Sequence, residues 1–169
     1  GPDDLPTVLA KLGHPSNLSL PWHMFGTSGH ETSPPGTIVE NYVRRSVFRL
    51  EREVVSFKCI VDPTKITRVG IHEFETADLG RQSMNTLGRR VANDDRLSFD
   101  YLTSGGIQLN HYYTRSRAEL MEKIERGGPN ERSYAANRAR MLRHAEAIER
   151  ETVEDRTAID FLARVGSSR

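Results

Sequence analysis

The sequence predicts an α/β fold with a mixed sheet, or α+β if the chain stands alone, in which strands come first and helices last. Three observations carry this. Apolar runs of strand length, "NLSLPWHMFG" and "EVVSFKCIVDP", sit in the first half. An S-x-x-E pattern opens the segment "SRAELMEKIERGG". The C-terminal third, "ERSYAANRARMLRHAEAIERETVEDRTAIDFLARVG", has helical spacing almost throughout. A chain of 169 residues suits one domain over 1–169 and is long enough to bury a core.

Each element follows from local chemistry. In "DDLPTVLAKLG", Leu5, Val8, Leu9 and Leu12 share a helical face and Gly13 is the stop signal. The run 17–26 reads as a strand that Pro21 makes irregular or places at an edge. "TSGHETSPPG" is loop by composition. "TIVENYVRR" is a short helix with Thr37 as its cap and Glu40 at capping-box spacing.

In "EVVSFKCIVDP", Val55, Phe57, Cys59 and Val61 fall on one strand face, and Asp62-Pro63 ends the run. "KITRVGIHEFE" is a second strand, with His72 at its end. Residues 76–100 have weaker periodicity and read as loop with short elements. "GGIQLNHYY" is a third strand after Gly105-Gly106. Ser116 and Glu119 then cap a helix whose apolar face is Leu120, Ile124 and Met121, ended by Gly127-Gly128-Pro129.

Composition narrows the function classes. The 24 basic and 23 acidic residues leave a net charge of +1, so no general attraction to nucleic acid is expected. Arginine far outnumbers lysine, which leaves local anion binding open. Cys59 is the single cysteine, so an intrachain disulfide and a cysteine-based zinc site are both excluded, and a reducing, cytoplasmic setting is expected. No apolar run approaches a membrane span in length.

Six histidines are present, and none forms a close metal-binding pair such as H-E-x-x-H. Serine-hydrolase, P-loop and dinucleotide-binding signatures are missing. His111, between a strand and a capped helix, reads as a hydrogen-bonded structural histidine, a metal ligand or a phosphate contact. His72 offers the same alternatives beside Glu73 and Glu75. Glu40 is either a capping residue or a catalytic carboxylate. Trp22 is a core residue or a sugar-stacking platform. Lys58 faces solvent or an anion. Arg115, Arg117, Lys123 and Arg126 crowd the start and one side of a helix, as a solvated face or a phosphate site.

In order along the chain, "LPWHMFGTSGH", "GTIVENYVRR", "FKCIVDPTKI", "GIHEFE", "LNHYYTRSRAELMEKIERGG" and "VEDRTAIDFL" resemble the C-terminal half of a bacterial group of glycosyltransferases, family-2-like and related to glycosyltransferase family 92. The likeness runs from about Leu5 to Val165. It implies a partial GT-A fold, a Rossmann-like sandwich. It also implies transfer of a sugar from a nucleotide-sugar donor to a glycan or other hydroxyl acceptor, assisted by Mn²⁺ or Mg²⁺.

Under this resemblance His111 and then His72 are the candidate metal ligands, and Glu40 is the candidate base toward the acceptor. Trp22, Phe25, Gly26 and His30 fall on the acceptor side. Lys58, Asn110, Tyr112 and Ser116 match motif positions without an assigned role. Arg115 stands where the group usually has lysine. No D-x-D, the expected metal-binding motif, occurs in the 169 residues. The donor-binding half is therefore expected upstream of Gly1, and this portion alone is expected to be inactive. The alternative is a non-catalytic module that binds a glycan or a protein.

Overall fold

The computed structural model describes residues 4–47, 56–92, 106–127 and 134–166. It is a mixed α/β chain with a mixed sheet and C-terminal helices. Its contacts divide it into two compact units. One, here the strand unit, takes Pro2–Trp22 and Val55–Leu109; the other, the helical unit, takes His23–Val54 and Asn110–Arg169. Strand β1 (Asn17–Phe25) contributes to both.

The strand unit opens with α1 (Leu5–Lys11), whose Asp4 side chain accepts the Thr7 N–H, 2.9 Å. Gly13 ends it with φ +75°, a conformation glycine adopts without steric cost. Val8, Leu9 and Leu12 are half-buried and Leu5 is exposed. In this unit β1 pairs antiparallel with β3 (Phe57–Val61), from Asn17 opposite Val61 to Pro21 opposite Phe57. On its other side Leu18 meets Met84 of β6 (Gln82–Met84) in parallel.

The expectation that Pro21 puts the strand at an edge is therefore corrected. The Trp22 N–H goes to the Ser56 carbonyl, 2.8 Å, so alternation turns the nitrogen of Pro21 to the opposite side. With β3 on one side and Met84 of β6 on the other, β1 lies inside the sheet.

β7 (Arg90–Ala92) completes a hairpin with β6. Val55, Gly105 and residues 93–100 lie outside the described residues. The single strand expected over 65–75 is instead a separate hairpin of β4 (Ile66–Val69) and β5 (Phe74–Thr76). Gly70 donates to the Glu73 carbonyl across its apex, 2.7 Å, and His72 sits in that apex at φ +63°. His72 is thus a turn residue, not a strand-end residue.

The interior of this unit is partly polar. Ser16 pairs with Thr76 at 2.9 Å and Ser19 with Ser83 at 2.6 Å, all four buried. Buried Asn17 donates to the Phe74 carbonyl, 3.0 Å, and Asn85 Oδ1 accepts from the Leu87 and Arg89 N–H groups. Leu18, Leu20, Phe57 and Leu79 supply the apolar part.

The helical unit carries both predicted capping boxes. Thr37 and Glu40 close one on α2 (Ile38–Asn41); Ser116 and Glu119 close the other on α3 (Arg117–Arg126). Each satisfies two backbone donors that a helix start would otherwise leave bare. The helix expected to run on through Arg44 and Arg45 stops at Asn41. Those arginines open β2 (Arg44–Ser46), which meets Phe25 of β1 and pairs antiparallel with β9 (Thr152–Glu154).

β9 interrupts what the sequence reads as one helical region, between α4 (Tyr134–Arg150) and α5 (Thr157–Gly166). Residues 128–133 lie outside the described residues. The core here is helix on helix: Leu120 and Ile124 of α3 against Met141 and Ala145 of α4, flanked by Met121 and Leu142. Among the described residues no helix is long and apolar enough to cross a membrane.

Candidate functional site

The helical unit holds a cleft of about 320 Å³ where α3 and α4 meet the loop after β1. Leu120, Met121, Leu142 and Ala145 form its apolar wall. Its polar lining is His30, Glu31, Thr114, Arg117, Glu146 and Glu149, with Thr27 and Gly29 from the loop.

The loop is held from several directions. Glu149 Oε1 accepts the Thr27 N–H in a short bond. The same carboxylate lies so close over Gly26 that a Cβ there would collide with it, although that flexible end can swing aside. The His30 carbonyl accepts the Arg117 N–H at 3.0 Å and the Glu31 carbonyl accepts the Ala118 N–H at 2.9 Å. His30 Nε2 lies 3.0 Å from the Asn41 carbonyl, so that nitrogen carries the hydrogen, and its ring meets Tyr42 edge-on.

These bonds decide a sequence alternative. The first-turn N–H groups of α3 are committed to His30, Glu31 and the Ser116 hydroxyl. The helix start therefore lacks the open donors a phosphate would need. Arg115 pairs instead with Glu119, 3.5 Å, and Lys123 donates to the Tyr113 carbonyl, 3.2 Å, with its ammonium 4.3 Å from the centre of that ring. Burial, then Arg115 and Arg126, lowers the Lys123 pKa.

The other predicted residues fall into separate groups. Phe25 stacks at a tilt on Tyr112, 4.9 Å between centroids, and Asn110 donates to the Tyr112 hydroxyl, 3.3 Å. Ser116 is buried and spent in the capping box. Its partner Glu119 also accepts from Tyr42, 2.9 Å; burial pushes this carboxyl up, but the bonds from Ser116 outweigh it and lower its pKa. Glu40 is exposed, and its Oε2 accepts from both the hydroxyl and the N–H of Thr37, which lowers its pKa. His111 lies within β8 (Leu109–Tyr112), half-buried, with its ring edge-on to Tyr113 at 5.8 Å. Of the residues the resemblance singles out only His30 lines the cleft, and of the cations at α3 Arg117 does.

In the strand unit, Trp22, Lys58 and His72 come together. The Lys58 ammonium lies 3.0 Å from His72 Nδ1 and 5.6 Å from the centre of the Trp22 ring, and Trp22 and His72 meet edge-on at 6.4 Å. Burial, then Lys58, lowers the His72 pKa. A cation donating to Nδ1 takes that nitrogen out of metal binding. Among the described residues no three His, Cys, Asp or Glu side chains come together as metal ligands. Among the described residues the fit to a divalent cation is therefore poor, with His111 and the Nε2 nitrogen of His72 as the imidazole ligands the predicted set would bring.

A further histidine, His23, is strongly perturbed. His23 is buried; burial first, then Arg45, pushes its imidazole down to about 4 against an opposing pull from Asp155. Burial pushes Asp155 up, but hydrogen bonds from Arg45 and Thr157 bring it to about 2. Sequence reasoning passed over His23, Thr114, Glu146 and Glu149. The two glutamates lie in a segment whose spacing marks only a helix, and nothing local marks Thr114.

Comparisons with family models, with curated proteins and with solved structures give no match.

Proposed function

We propose that the chain is the acceptor side of a metal-assisted, GT-A-type glycosyltransferase, and that the cleft of the helical unit receives the hydroxyl-bearing acceptor. The reading starts from the ordered motif resemblance. The observation that carries it furthest is the cleft itself, because His30, the last residue of the "WHMFGTSGH" run, is one of its polar groups. An apolar wall faced by carboxylates, an imidazole and a hydroxyl suits a sugar, which offers both C–H faces and hydroxyls.

Within that reading Glu40 is deprotonated at neutral pH, as a base must be, and its bonds from Thr37 weaken it as a proton acceptor. Mn²⁺ or Mg²⁺ would supply charge compensation at the donor diphosphate. Among the described residues the predicted set offers only single imidazoles toward it, His111 and His72 through Nε2, so no step is assigned to the metal.

Titration calorimetry tests the proposal. A glycan acceptor and a UDP-sugar with Mn²⁺ are titrated separately into the protein. Acceptor binding joined to metal-dependent donor binding, once the donor-side half is supplied, is the expected result. Donor binding that ignores the metal, or no saccharide binding at all, would sink it. A second reading, a glycan-binding module without catalysis, is favoured by one observation: no D-x-D occurs in the sequence. Glycan binding with no metal-dependent donor binding decides for the module.

A further inference from the structure

The β4–β5 turn of the strand unit presents apolar side chains to solvent. Val69 is 67% exposed and Ile71 88%, the two most exposed large apolar residues among those described. Apolar residues scattered singly over a surface need no explanation, whereas two on one turn call for one. The turn is braced. Gly70 donates to the Glu73 carbonyl, 2.7 Å, and His72 holds φ +63°, a left-handed conformation that costs a residue with a Cβ. Its ring is fixed by Lys58, 3.0 Å from Nδ1, and by Trp22, edge-on at 6.4 Å. Strain of this kind persists only where the surroundings hold it.

The charges beside the turn point to what covers it. Glu75 lies between Arg68, 3.3 Å, and Arg81, 3.8 Å, and Glu73 is the other carboxylate of the hairpin. Lys58 is exposed, and among the described residues its neighbours are the His72 imidazole and the Trp22 ring, 5.6 Å away, with no carboxylate. Because Nδ1 accepts from that ammonium, His72 adds no charge. Lys58, Arg68 and Arg81 against Glu73 and Glu75 leave one positive charge in excess. Apolar side chains favour the acyl boundary of a bilayer, an indole the headgroup level, and an ammonium the lipid phosphates. Two aliphatic side chains supply far less than the roughly 1,000 Å² that a specific protein interface buries, so a second copy or a folded partner gains little here. A bilayer takes a narrow apolar tip without a matching groove.

We propose that the β4–β5 turn docks this chain peripherally on an anionic phospholipid bilayer, with Val69 and Ile71 entering the acyl boundary and Lys58 meeting the lipid phosphates beside Trp22. Such a contact needs no spanning helix. The proposal does not rest on the glycan reading, since none of these residues lines the cleft.

The test is flotation of the full chain with lipid vesicles at low salt, of phosphatidylcholine alone and of phosphatidylcholine with phosphatidylglycerol. The chain binds the anionic vesicles about fivefold more tightly, the effect of one net basic charge at such a surface. Ile71→Ser weakens binding at least about tenfold, the loss of one buried aliphatic side chain. Val69→Ser weakens it too, and because both side chains are exposed the circular dichroism of these variants is unchanged. Lys58→Gln removes the anionic preference. Leu162→Ser, at an exposed leucine of α5, leaves binding as it was. No flotation, an Ile71→Ser variant that floats as well as the parent, or an equal loss in Leu162→Ser overturns the proposal. Equal binding to the two kinds of vesicle overturns the anionic bilayer as the partner. Self-association without lipid that Ile71→Ser abolishes assigns the turn to a second copy of the chain and overturns the bilayer.

Discussion

The strand unit and the helical unit are held together by different means. In the strand unit, short strands of three to five residues flank β1, and buried hydroxyls and amides link them, Ser16 to Thr76, Ser19 to Ser83 and Asn17 to the Phe74 carbonyl. In the helical unit, Leu120 and Ile124 pack on Met141 and Ala145, and two capping boxes satisfy the starts of α2 and α3. Hydrogen bonds need each partner in place, whereas apolar packing tolerates small adjustments and is proportional to area. The difference teaches where each unit is vulnerable: the first to loss of one partner, the second to loss of volume.

The largest expected effect is in the helical core. Ile124 is fully buried, and Ile124→Ala should cost about 2–5 kcal/mol, read as a lower urea midpoint. Amide hydrogen exchange should speed up in α3 and α4 before it does in β3 and β6. Faster exchange confined to β3 and β6 would break the contrast.

Acid comes next. The His23 imidazole has its folded pKa pushed down to about 4 from 6.5, so the unfolded chain takes up the proton first. Stability contributed by neutral His23 is full above pH 6.5 and is lost as pH falls from there toward 4. Asp155, held near 2 from 3.8, adds its own loss only below about pH 3.8. Urea midpoints at pH 7, 5.5 and 4.5 should fall in that order, and His23→Gln should flatten the trend. An unchanged slope in that variant counts against the assignment.

The buried serine pair sharpens the strand-unit side. Ser19→Ala leaves the Ser83 hydroxyl without this bond and should cost about 1–3 kcal/mol, while Ser19→Ala with Ser83→Ala should cost less than the two single changes summed. Strict additivity would show that the pair does not act as a unit. Smaller again is Ser116→Ala, at about 0.5–2 kcal/mol for a lost N-cap. Thr37→Ala at the exposed four-residue α2 should be smaller still, and both are read from the same denaturation curves.

The same contrast explains what could be read without a structure. Capping boxes are local: Ser116 with Glu119 and Thr37 with Glu40 announce helix starts within four residues, and Leu120 and Ile124 repeat at helical spacing. Both helices were legible for that reason. The strand unit buries Ser16, Asn17, Ser19, Ser83 and Asn85, residue types that normally mark loops, so β6 and β7 fell in a stretch read as loop with short elements. Strand β9 hid between two helices because three residues gain strand character only from their pairing with β2.

The candidate site divides in the same way. Motif order pointed to His30, which lines the cleft, and to Trp22, Lys58 and His72, which meet one another. Thr114, Glu146 and Glu149 acquire meaning only when α3 and α4 come together. That is long-range information, which spacing along the chain does not carry.

Trp22 has a consequence for optical work. It is the only tryptophan in the sequence, and its close neighbours Lys58 and His72 both belong to the strand unit. Intrinsic emission excited at the red edge, where tyrosine is silent, therefore originates from one place, beside an imidazole and an ammonium whose charge states alter quenching. A fluorescence melt of this protein reports the surroundings of one indole. A second chromophore, placed on α3 or α4, is needed before such a trace speaks for both halves of the chain.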